Sequence, residues 1–177
     1  MKNKSIIAKL LAEEDIFVVY KKMETAYFNP KTRELGLPIW NDELMTADIE
    51  DLMVCHEIAH ALWTPLDMLE QAQSRKINHS FVNIIEDARI EKLMKRKFPG
   101  LRKSFNGGYK ELNNLDFFEI VDQNLDNFSL IDRINLHFKI GASAFIPFGA
   151  SEIVFVERTE KAETFAEVLQ IAFDVYQ

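Results

Sequence analysis

The sequence predicts an α+β fold that is mostly helical. Three observations carry this: a β-branched and aromatic run near the start, apolar residues at three-to-four spacing through most of the rest, and a Pro99-Gly100 pair closing a long helical stretch. Residues 3–14 place Ile6, Ile7, Leu10 and Leu11 at helical spacing and read as a short amphipathic helix. Ile16-Phe17-Val18-Val19-Tyr20 then reads as extended chain. After Thr25–Phe28 comes the turn signal Asn29-Pro30-Lys31-Thr32, and Leu35–Trp40 follows, which together predict a small sheet with a hairpin.

A central helix is expected over 47–63. Thr46 suits its N-cap, Asp48, Glu50 and Asp51 suit the positive end of its dipole, and Pro65 forbids its continuation. Past its first turn it is apolar nearly all round, so it belongs inside the domain. A second long helix, 77–98, mixes Asn83, Glu86 and Asp87 into its apolar row. Asn106-Gly107-Gly108 reads as a loop. Residues 129–140 and 164–176 are helical by period, and Ile153–Val156, ambiguous between strand and helix, is taken as helix. With no internal repeat or linker, residues 1–177 are expected to form a single domain.

Composition narrows the class. The chain has 177 residues, 47% hydrophobic and 28% charged, which excludes disorder, collagen and coiled coil and is enough for a core without covalent staples. Cys55 is the single cysteine, so no disulfide framework or thiolate knuckle can form, and a reducing, cytoplasmic home is expected. No signal-peptide core is read at the start. The most apolar stretch, 140–156, is broken by Gly141, Pro147, Gly149 and Glu152, so no membrane partner is expected. A formal charge of −7 opposes bulk polyanion binding. The cluster Lys92, Lys95, Arg96, Lys97, Arg102 and Lys103 sits at a helix end and is better read as a solvated structural face than as a nucleic-acid patch.

Chemistry concentrates in His56-Glu57-Ile58-Ala59-His60, an HExxH motif. Residues four apart share a helical face, so both imidazoles can meet one Zn²⁺, while Glu57 is turned by about a quarter turn towards a bound water. Burying two histidines and a glutamate in so apolar a helix would be costly without a compensating partner such as a cation. A catalytic zinc takes three protein ligands, and the second helix offers Glu86 and Asp87. Glu86 shares a row with Val82, Asn83, Ile90 and Leu93 and faces inward; its other reading is a buried carboxylate paired with Arg89. Asp87 shares a wetter row with Ser80, Glu91 and Met94. It reads either as a group behind the ligands, accepting the spare N–H of a histidine, or as a partner of Arg89.

A helix bearing this motif, after a small sheet and before a helix offering a glutamate, resembles the zincin metallopeptidases and, among them, the gluzincins. The run His56–Thr64 followed by Asn83-Ile84-Ile85-Glu86-Asp87-Ala88-Arg89-Ile90-Glu91 is similar to a peptidase domain of phage and bacterial proteins. Those proteins often carry a von Willebrand factor A domain further on, as in cobaltochelatase-subunit-like proteins. The resemblance covers residues 16–176, with its specificity in the two helices. It implies a zincin-like fold and one Zn²⁺ per chain on His56, His60 and Glu86, with Glu57 as general base; Asp87 and Asn83 are the residues read as supporting the ligands from behind. It also implies peptide-bond hydrolysis on a peptide or protein substrate, in a cytoplasmic protein that is either phage-encoded and acting in a host cell, or bacterial. No von Willebrand domain is present in this sequence, so the domain is read as free-standing or excised from a longer protein.

The sequence departs from thermolysin-like members in lacking their Asn-Glu-x-x-Ser-Asp pattern. The candidates for steadying an oxyanion are Tyr109, His79 and His137. Each has a plainer reading: a loop anchor, a solvated helix start and a packed histidine. Cys55 and the aromatic set Phe138, Phe145 and Phe148 read as core. The alternative function is a catalytically weak or inactive metal-binding module inside a larger assembly.

Overall fold

A computed structural model describes residues 2–41 and 43–177, with side chains described from residue 7 onward apart from residue 42. The side chain of Ile6 lies outside the described residues. The chain is α+β and mostly helical, and it packs into two compact units: residues up to 63 with 90–112, and residues 64–89 with 113–177.

In the first unit, helix α1 (Lys2–Glu13) is followed by β1 (Phe17–Lys21), β2 (Tyr27–Asn29) and β3 (Glu34–Pro38). The sheet order is β1-β3-β2. Strand β1 runs parallel to β3, from Phe17 opposite Glu34 to Lys21 opposite Pro38, and β2 is antiparallel to β3 with Tyr27 opposite Gly36. The hairpin turn is held by the Asn29 side chain, which accepts from the amides of Lys31 at 3.0 Å and Thr32 at 3.2 Å. Gly36 is required beneath Tyr27, because a Cβ there would collide with the ring.

Helix α2 (Ala47–Trp63) has the span that the sequence predicts. Thr46 caps it: its hydroxyl accepts from the Ile49 amide at 3.3 Å and donates to Glu111. Leu35, Leu37, Ile49, Leu52, Cys55 and Ile58 are buried, as expected for a sheet and a helix that share a core. Helix α5 (Arg102–Asn114) corrects the expected loop, since Asn106-Gly107-Gly108 lies inside it. The glycines serve close packing rather than a turn: a Cβ on Gly108 would stand 2.7 Å from the Asp48 carbonyl oxygen and 2.8 Å from Leu52 Cβ. The basic cluster is partly spent on aromatic faces, with Lys95 over Phe105 at 5.3 Å and Lys97 over Trp63 at 5.9 Å.

Helix α4 (His79–Lys97) passes from the second unit into the first at residue 90. The second unit also holds α3 (Met68–Ser74), a helix the sequence reading missed, and α6 (Leu130–Ile140), α7 (Ile153–Lys161) and α8 (Phe165–Tyr176). Its core joins Ala72, Ile77, Val82, Ile85, Ile134 and Val168. Ser129 caps α6, and Thr164 with Glu167 forms a capping box on α8. The ambiguous segment 153–156 is helical, starting α7. Phe138 and Phe148 pack on the core, whereas Phe145, expected inside, is 86% exposed. Among the described residues no helix is long and apolar enough to cross a membrane.

Candidate metal centre

His56 and His60 lie one turn apart on α2, and their rings meet edge to face with centroids 4.8 Å apart. Their Nε2 atoms are 3.2 Å apart. Two imidazoles bound to one tetrahedral Zn²⁺ at about 2.0–2.1 Å have nitrogens about 3.3 Å apart by simple trigonometry, so the pair already has the bite that such an ion requires. Glu57, next to His56 and turned from it by the helical step, is 9% exposed. It is the one carboxylate among the buried residues of α2, in the company of Ile49, Leu52, Met53, Val54, Cys55, Ile58 and Ala59.

The residue that orients His56 is one to which the sequence reading gave no role in the site. Nδ1 of His56 lies 2.7 Å from Oε1 of Glu91 on α4. A carboxylate only accepts, so the contact places a proton on Nδ1, while Nε2 faces Nε2 of His60. This is the arrangement by which a carboxylate fixes the tautomer of a metal-binding histidine. Tyr109 on α5 donates its hydroxyl to the same Glu91 oxygen. Glu91 is 3% exposed and Tyr109 8% exposed, which corrects two expectations: the row of Asp87, Glu91 and Met94 is not wet, and Tyr109 is not on a loop. Period alone misassigned that row because α4 is buried on nearly every side from Ile85 to Glu91, and helical periodicity sorts faces only when one of them meets water. The signal that was present is the i, i+4 spacing of Asp87 and Glu91, which puts two acids on one face.

Glu86 follows its other reading. Both carboxylate oxygens are engaged by Arg89, Nε to Oε2 at 2.8 Å and Nη2 to Oε1 at 2.7 Å, and Thr64 donates to Oε1 at 2.8 Å. Arg89 in turn donates to the Glu163 carbonyl at 3.2 Å. Asp87 is 4% exposed and takes Lys139 of α6 at 3.2 Å, a partner 52 residues away that no local pattern could announce. Asn83 is half-buried one turn before Asp87.

His79 is exposed at the first position of α4. His137 is packed edge to face against Phe138 and Phe148, and burial holds its imidazole below the ordinary value. The hydroxyl of Tyr109 is given to Glu91. Thus each of the three oxyanion candidates takes up its plainer position or another task. Cys55 is fully buried, and burial together with the nearby Asp51 pushes its thiol to about 12, so it is packing rather than a thiolate ligand. No protein-family model, curated protein or solved structure matches the chain, so the chemistry of these residues has to speak for itself.

Proposed function

We propose that the chain is a zinc-dependent metallopeptidase of the zincin kind, with Glu57 as general base. The observation that carries the reading is the 3.2 Å separation of the two Nε2 atoms, with the Nδ1 of His56 held by Glu91. This donor pair and its buried carboxylate support are what a zinc site on one helix needs. Asp87 completes the proposed set. It sits one turn before Glu91 on the continuous α4, hence on the same face of that helix as the carboxylate that holds His56, and it is an acid of the kind that ligates zinc. Glu86 is the lesser candidate, because Arg89 and Thr64 already draw on its oxygens.

A divalent cation held there would polarise a carbonyl oxygen and bring the pKa of its bound water to about 7. Glu57, on the adjacent helical position, accepts the proton as the water attacks and passes it to the leaving amine. His56 and His60 would hold the ion, each through one ring nitrogen. Strand β2 is an edge of the sheet and packs against α2, so an extended substrate can add to it by main-chain pairing.

Elemental analysis with a cleavage assay tests the proposal. Glu57→Gln is expected to retain zinc at one per chain and lose cleavage by about 10²–10⁴-fold. A variant that still cleaves at the wild-type rate overturns Glu57 as base. The engagement of Tyr109 by Glu91 favours a second reading, a metal-binding module with weak or no turnover. Stoichiometric zinc without cleavage of any unfolded protein or peptide would select it.

A further inference from the structure

We propose that Tyr109 is a positioning residue for this centre, acting on His56 through Glu91; the inference rests on the metal-binding reading above. Its hydroxyl and the imidazole N–H of His56 converge on one atom, Oε1 of Glu91. Two donors on one oxygen fix that oxygen along two directions, so the carboxylate cannot swing away from Nδ1 without breaking the tyrosine bond as well. All three side chains are well covered, with His56 16% exposed as a side chain and Glu91 3%. In such surroundings the orientation of a carboxylate is decided by its donors rather than by water.

The seat of Tyr109 is set one residue earlier. Gly108 lets α5 approach the Asp48 carbonyl and Leu52 of α2 more closely than any side chain would allow, and Tyr109 follows directly from that contact. Tyr109 therefore measures the spacing between α5 and α2 and conveys it through Glu91 to the ring that lies on α2.

Tyr109→Phe removes the hydroxyl while keeping the ring that fills the core. In the metal-free protein, ¹⁵N shifts of His56, recorded where the imidazole is neutral, are expected to report one tautomer with the proton on Nδ1 in the wild type. In Tyr109→Phe they should report a mixture. Zinc affinity, read by competition with a chelator, is expected to fall by about 10-fold, the low end of what losing such support costs. The same change made in a Glu91→Ala background should add nothing, because the effect travels through Glu91. A Tyr109→Phe protein with the wild-type tautomer and affinity, altered only in melting temperature, overturns the proposal and leaves Tyr109 as packing. A wild type that binds no zinc would overturn the metallopeptidase reading instead, and the tautomer comparison would still decide Tyr109.

Discussion

Glu86 and Glu91 stand five residues apart on α4, both all but inaccessible to water, yet they are satisfied in opposite ways. Glu86 is closed by a guanidinium, which supplies two parallel hydrogen bonds and a permanent positive charge. Glu91 accepts instead from the imidazole N–H of His56 and the phenol O–H of Tyr109. A carboxylate given its own cation has its charge cancelled and its geometry fixed, so it contributes to the fold. In the reading proposed above, one that accepts from a ligand histidine transmits orientation to it, so the same residue type would serve two ends on one helix.

Substituting each acid in turn should separate them most sharply. Glu86→Ala strands Arg89, 4% exposed, without its carboxylate, and is expected to cost about 3–5 kcal/mol in denaturant unfolding. Glu91→Ala is expected to lower zinc affinity by about 10–100-fold. If Glu86→Ala instead abolishes zinc binding while leaving the unfolding midpoint in place, the comparison is reversed and Glu86 is the third ligand.

A smaller effect probes how Glu91 is supported. Gly108→Ala forces α5 away from the Asp48 carbonyl and Leu52, and overpacking of this kind costs about 1–3 kcal/mol. Because Tyr109 is displaced with it, the midpoint shift should come with the loss of the single His56 tautomer. A shift in midpoint with an unchanged tautomer would show that α5 can move without disturbing the carboxylate.

The smallest effect extends the guanidinium half of the comparison to a partly exposed site. Glu152 pairs with Arg133 at 2.6 Å and accepts from the Gly149 amide at 2.7 Å. These bonds, the arginine first, bring its carboxyl from 4.5 to about 2. A carboxyl depressed in the folded state stabilises above its unfolded value, so its contribution is full above about pH 4.5 and fades as the pH falls towards 2. Solvent screening keeps it modest. Thermal melts of the wild type and Arg133→Gln across that window should converge as the pH drops, and curves that stay parallel would assign the pairing no part in acid stability.

How far the sequence could be read varied with the kind of signal. Helix α2 was legible at both ends because its stop signal, Pro65, and its cap, Thr46, are local. The pairing of His56 with His60 was legible because four residues along a helix fix a face. Helix α5 was not, since glycines at 107 and 108 mark a turn by backbone freedom and a close helix contact by the absence of a side chain, and the letters are the same in both cases. The bonds from Glu91 to His56 and Tyr109 join three separate helices, so no spacing rule reaches them.

The sequence by itself determined that two imidazoles and a carboxylate share one turn of an apolar helix, because helical geometry is a property of the chain alone. Only the tertiary structure decided which acid of α4 meets an arginine and which meets His56. Arg89 is within reach of Glu86 along the helix, but the donors to Glu91 are distant along the chain and near only after folding, and in a buried site the donors, rather than water, decide what each charge does.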